Sequence, residues 1–222
     1  MNSVSAPKNL HCLPKAYVRN RRRTLGLGII VILSTVGIGG MLPETPEEII
    51  HLSVGKPVMV DGNIEAGEWS DAVQVKMPND ARLYLKASGE FVYMAVQFPA
   101  SRSGFTDLYI APAGGSLSDL HASAKLGERQ FDNHKWPEWS NWWNNQGWIA
   151  NVSRVDSFEK RTFLVANVRE YQIKRSRFPG REWRLMLDMS LESKGGQYTV
   201  TRFPTSASDS NPEKWLRVQI EP

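Results

Sequence analysis

From Lys56 onward the chain has no sustained 3.6-residue apolar stripe; short β-rich runs alternate with Gly, Pro, Asn and Ser. A surface helix needs a continuous apolar face to bury, whereas a strand needs only alternate positions, so this pattern restricts the fold to strands. Candidate strands are 57–60, 71–77, 82–86, 91–98, 105–110, 121–126, 148–155, 162–168, 183–191, 198–203 and 215–220. The clearest hairpin is Ala81–Phe98: Leu83 and Leu85 alternate with Arg82, Tyr84 and Lys86, Ser88-Gly89 reverses the chain, and Val92, Met94 and Val96 return. A second hairpin is expected around Asp156-Ser157. The pattern predicts an all-β fold over residues 56–222, an antiparallel β-sandwich of immunoglobulin-like or jelly-roll appearance, preceded by one N-terminal hydrophobic helix.

That helix is the segment Leu25–Leu42, 18 residues without a charge, directly after Arg19-Asn20-Arg21-Arg22-Arg23. Its length just crosses a hydrocarbon core of about 30 Å, and cations resist translocation, so the basic leader 1–24 is expected to stay cytoplasmic. The segment reads as a transmembrane anchor or as the apolar part of a signal peptide, with small residues at Gly37-Ile38-Gly39 for a signal peptidase. Either fate exports the body to the periplasm or the extracellular space. Residues 43–55, opening on Pro43-Glu44-Thr45-Pro46, read as a stiff polar linker.

The formal charge of +4 belongs to the leader. Residues 1–42 hold Lys8, Lys15, Arg19, Arg21, Arg22 and Arg23 and no carboxylate; 21 of the 27 Lys and Arg then face all 23 Asp and Glu, leaving residues 43–222 at about −2. A phosphate-backbone binder concentrates cations on its folded domain, so no nucleic-acid partner is expected. The only cysteine is Cys12, and the body therefore has no disulfide, thiolate zinc site or Cys nucleophile.

Pro57-Val58-Met59-Val60-Asp61-Gly62-Asn63-Ile64-Glu65-Ala66-Gly67-Glu68-Trp69-Ser70-Asp71-Ala72 reads as a strand ending in a tight Asp-Gly turn, with Glu68-Trp69 starting the next strand and offering an indole to the core. This segment resembles the opening of carbohydrate-binding module family 9-like domains. Arg82–Phe98, with Phe91-Val92-Tyr93-Met94-Ala95-Val96 as its second strand, resembles the next landmark of that family. Such a resemblance implies a β-sandwich of the superfamily shared with DOMON-type and haem-binding extracytoplasmic domains, no catalysis, and in some members structural calcium. Members that bind sugar hold a terminal residue between two indole faces. The matched motif is structural, so Trp69 is expected in the core.

Five of the eight Trp fall in Trp136–Trp148 (WPEWSNWWNNQGW). Sugar rings present apolar C–H faces and a rim of hydroxyls, so flat aromatic surface beside planar amides suits them. Trp139, Trp142 and Trp143 are the candidates for stacking, with Asn141, Asn144 and Gln146 as polar partners. The spacing of Trp136, Trp139 and Trp143 equally fits one buried helical face. Upstream, Asp119–Arg129 alternates: Leu120, Ala122, Ala124 and Leu126 are expected to face the core and Asp119, His121, Ser123 and Lys125 the other side, as a solvated face or the floor of a cleft.

No metal site is expected from His51, His121 and His134, although Asp61, Glu65 and Glu68 could donate oxygens to calcium. No G-x-S-x-G, P-loop or nucleotide fingerprint occurs. The expected function is a non-catalytic, exported carbohydrate-binding domain. The alternatives are a haem-binding domain drawing on Met59, Met94, Met186, Met189, His121 or Lys125, and a membrane-tethered scaffold whose exposed aromatics meet a protein partner.

Overall fold

The computed structural model describes residues 48–65, 67–99, 104–123, 126–139, 148–151, 154–155, 161–162, 167–193 and 196–222. They form an all-β sandwich. Among the described residues the strands are β1 (Ile49–Leu52), β2 (Val73–Lys76), β3 (Arg82–Ser88), β4 (Phe91–Gln97), β5 (Gly104–Pro112), β6 (Ser118–Ala122), β7 (Leu126–Gln130), β8 (Trp148–Asn151), β9 (Arg154–Val155), β10 (Arg161–Thr162), β11 (Val168–Lys174), β12 (Glu182–Glu192), β13 (Tyr198–Phe203) and β14 (Leu216–Ile220). One sheet runs β1-β14-β12-β5-β6-β7, with β13 also paired to β12; the other runs β2-β3-β4-β11-β8. β9 and β10 pair with each other, giving the second expected hairpin. Every pairing between named strands is antiparallel except β1 with β14.

The two sheets bury their facing sides in one core. Leu83, Leu85, Val92, Met94, Val96, Tyr171 and Ile173 come from the smaller sheet; Leu108, Ile110, Leu120, Trp183, Leu185, Leu187, Met189 and Val218 come from the larger. Period-two alternation supplies this face on nearly every strand. Two further apolar clusters lie on the outer faces. On the smaller sheet, Val58 and Trp69 pack on Tyr84, Tyr93, Ala95 and Val168; on the larger, Tyr109, Ala111 and Met186 pack with Ala207 and Trp215.

Several elements differ from the expectation. Residues 57–60 form no strand: Pro57 has no N–H to donate, the Met59 N–H goes to Glu68 Oε1, and Val58 packs into the outer cluster. The segment is a strap across the smaller sheet, and Trp69, buried as expected, sits in a turn ahead of β2. Gly62 takes the left-handed φ of +86° that the Asp-Gly turn requires. Residues 121–126 are not one strand but the reversal from β6 into β7. Ala122 pairs directly with Leu126 across that reversal, so both face the core and the alternation continues unbroken through a turn it could not reveal. Of the expected strand at 162–168, residues 163–166 lie outside the described residues; its two ends fall on β10 and β11. β11 pairs with β4 so that Tyr171 and Ile173 point into the core. β1 lies within the stretch read as linker 43–55, and its Leu52 is fully buried. No helix among the described residues is long and apolar enough to cross a membrane; Leu25–Leu42 lies outside them.

Candidate functional site

The outer face of the larger sheet gathers the polar and aromatic residues. On β5, even-numbered residues such as Leu108 and Ile110 enter the core, which turns Phe105, Asp107 and Tyr109 outward; on β12 the parity is reversed, and Met186, Asp188 and Ser190 face out. Register then sets two rows across the strands. One row is Arg202 on β13, Asp188 on β12, Asp107 on β5 and His121 on β6. The row beside it is Met186, Tyr109, Asp119 and Arg129.

The first row is a ladder of hydrogen-bonded polar and charged groups. Arg202 grips Asp188 with two N–H groups, Nε to Oδ1 at 2.8 Å and Nη2 to Oδ2 at 2.6 Å. His121 Nδ1 donates to Asp107 Oδ1 at 2.5 Å. Asp107 and Asp188 are directly opposite across β5 and β12, an unfavourable like-charge neighbourhood that the flanking Arg202 and His121 offset. The hydrogen bond to Asp188 holds Arg202 charged well above its ordinary range.

In the second row Arg129 donates from Nε to Asp119 Oδ2 at 2.8 Å, and its Nη2 lies at 2.8 Å from the same oxygen. The Asp119 side chain is wholly buried, and Oδ1 has no hydrogen-bond partner among the described residues. Burial, followed by the charge of Asp107, pushes the Asp119 carboxyl up to about 8, with Arg129 opposing. Burial also raises the neighbouring Tyr109 hydroxyl, reinforced by Asp119 and Asp188.

Trp136 and Trp139 reach this face because the chain reverses immediately after β7. Asp132 and Lys135 exchange backbone hydrogen bonds around Asn133 and His134, both left-handed at φ 47° and 61°. This two-residue turn is the mirror-image type that suits twisted strands, and glycine is its natural second residue. His134→Gly is expected to stabilise the protein by about 0.5–1 kcal/mol, a rise of about 1–4 °C in melting temperature. A melting curve no higher than that of the wild type would show that the His134 backbone is not strained.

Beyond the turn, the Arg129 guanidinium lies over both indoles, 5.1 Å from the Trp136 centroid and 4.2 Å from that of Trp139. Trp136 also meets Tyr109 at 5.5 Å and Phe131 at 5.1 Å, and Tyr109 meets Trp215 at 6.0 Å. Trp139 instead lies 5.4 Å from His121 and is partly exposed. From His121 the rings continue to Phe105 at 5.3 Å and on to Tyr198 at 5.3 Å, where Tyr198 and Val200 are 53% and 61% exposed. The rings therefore fall into two groups, one packed around the buried Tyr109 and Trp215 with the half-buried Trp136, the other running from the half-buried Trp139, His121 and Phe105 to the exposed Tyr198.

Of the residues singled out from the sequence, Trp139 stands on this face beside Asp119 and His121. Trp142, Trp143, Asn141, Asn144 and Gln146 lie in residues 140–147, outside the described residues. The helical spacing of Trp136 and Trp139 is not used: residues 131–139 form a turn followed by a segment with no helix. Sequence reasoning missed Phe105, Asp107, Arg129, Asp188, Tyr198 and Arg202. Their strands were legible, but their neighbourhood depends on the order β13-β12-β5-β6-β7.

Other sites offer less. Among the described residues no cluster of His, Cys, Asp or Glu could hold a metal ion. Asp61 Oδ1 accepts from the Asn63 N–H and Glu68 Oε1 from the Met59 N–H, so both carboxylates serve the strap. Of the named haem donors, Met94 and Met189 are core, Met186 packs beside Tyr109, Met59 is exposed and His121 is bonded to Asp107, while Lys125 lies outside the described residues. A cavity of about 400 Å³ at the β2–β3 edge is lined by Gln74, Lys76, Asp80 and Arg82, and a second of about 320 Å³ lies beside Gly114 and Pro212; among the described residues neither has an aromatic wall. Compared with protein-family models, curated proteins and solved structures, the chain gives no match.

Proposed function

We propose that the outer face of the larger sheet binds carbohydrate without turning it over. The observation behind this reading is the placement of Trp139: a partly exposed indole fixed by Arg129 and His121, beside a row of carboxylates, guanidinium groups and imidazole. Such a surface pairs the apolar face of a pyranose with donors and acceptors for its hydroxyls. Trp142 and Trp143, with Asn141, Asn144 and Gln146, follow Trp139 directly in the chain and extend the same chemistry. The resemblance of residues 57–98 to family 9-like carbohydrate-binding modules, with the immunoglobulin-like sandwich it implies, favours the same conclusion. In this reading the leader exports the domain and tethers or releases it outside the cytoplasm.

Isothermal titration of the full chain against a glycan panel tests it. Trp139→Ala is expected to weaken sugar binding by about tenfold or more, the loss of one stacking platform. Wild-type affinity in that variant would remove Trp139 from the site. Failure on every glycan, with specific retrieval of a protein partner, would replace the carbohydrate reading with the scaffold.

A further inference from the structure

Resting on the carbohydrate reading above, we infer that the ligand is an internal stretch of a soluble, twisted polysaccharide chain, laid across the strands on the ring series Tyr198–Phe105–His121–Trp139. The series belongs to four separate parts of the chain, β13, β5, β6 and the segment after β7. Its steps are nearly equal, at 5.3, 5.3 and 5.4 Å. Each step is roughly the length of one pyranose unit, so successive units can meet successive rings.

Two features decide the kind of chain. Neighbouring rings are inclined to one another by 49°, 52° and 59°, so no flat plane is offered. A crystalline polysaccharide presents a flat surface and matches coplanar rings; a free chain twists from unit to unit and matches inclined ones. The polar ladder Arg202, Asp188, Asp107, His121 crosses the same strands and shares its last member with the ring series. Asp188 is buried beneath Arg202, so hydroxyls along one edge of the chain would meet the Arg202 guanidinium at one end and the partly exposed His121–Asp107 pair at the other, rather than a single terminus. Ser190 keeps the path low between Tyr198 and Phe105: it faces outward between Asp188 and Glu192, pairs with Phe105, and leaves the two rings in contact above it.

The test is a length series, from monosaccharide to hexasaccharide, of β-1,4-linked glucose, xylose and N-acetylglucosamine, with insoluble crystalline cellulose as a further probe. For the sugar that binds, affinity should rise by about tenfold or more between the disaccharide and the hexasaccharide. Tyr198→Ala, which removes an exposed ring far from Trp139, should lower hexasaccharide affinity by about fivefold to tenfold, with a loss that grows with chain length. Phe105→Ala should behave similarly. A monosaccharide binding as tightly as the hexasaccharide, a Tyr198→Ala loss independent of length, or preference for crystalline cellulose would overturn the extended chain while leaving carbohydrate binding at Trp139 standing. Binding of none of these sugars would overturn the extended chain, and failure on every glycan of a wider panel would remove both readings.

Discussion

Glu170→Ala is expected to cost the fold about 3 kcal/mol or more, because three donors lose their acceptor together. Glu170 is fully buried on β11; its Oε2 accepts from the backbone N–H groups of Asp61 at 2.9 Å and Gly62 at 2.7 Å, and its Oε1 accepts from Trp69 Nε1 at 3.1 Å. One carboxylate thus ties both the Asp-Gly turn and the indole of the strap to the smaller sheet. For a protein of this size the loss corresponds to a fall of about 10 °C in melting temperature. Glu170→Gln separates charge from geometry. Its carbonyl can serve the two backbone donors, but its amide N–H₂ then faces the Trp69 N–H, so an intermediate loss of about 1–2 kcal/mol is expected. Thermal denaturation followed by circular dichroism checks both variants. If Glu170→Ala melts within about 2 °C of the wild type, the strap is held by the packing of Val58 and Trp69 alone.

The second large effect is on pH dependence, through Asp119. Its carboxyl is raised from an ordinary 3.8 to about 8, so between those values the folded state binds a proton that the unfolded state has lost. The contribution of this group to stability is therefore fully present below about pH 4 and falls as pH rises through 8, by a few kcal/mol across the window. Asp119→Asn removes the titration while leaving a carbonyl for Arg129. It should flatten the decline in melting temperature on the alkaline side, and its stability relative to the wild type should improve steadily from pH 4 to pH 8. Parallel curves for the two proteins across that range would show that Arg129 keeps Asp119 ionised throughout.

Much of the fold was legible because period-two alternation is a local property. Arg82–Lys86, Phe91–Phe98 and Trp183–Leu191 each carry it and fall on β3, β4 and β12, with Leu83, Leu85, Val92, Met94 and Val96 in the core as expected; Tyr198–Phe203 is also a strand, but its residues are exposed or only half-buried. Errors arose where local pattern and partner choice separate. Ala122 and Leu126 have the same parity on either side of a reversal, so one long strand and a hairpin look alike. Val58 and Trp69 are buried against the outer face of a sheet rather than within a strand, and no local period marks such a strap.

The candidate site divides along the same line. Asp119 and His121 could be assigned to one outward face, and the Trp-rich segment could be recognised by composition, because both signals lie within a few consecutive residues. Asp107, Asp188, Arg202, Phe105 and Tyr198 are scattered over nearly a hundred positions, and what makes them one surface is the pairing of β13, β12, β5 and β6 in a single register. Alternation tells each side chain which face it occupies, a choice made by its nearest neighbours. Which side chains share that face is set by long-range hydrogen bonding between strands, and that is decided only when the two sheets close over their common core.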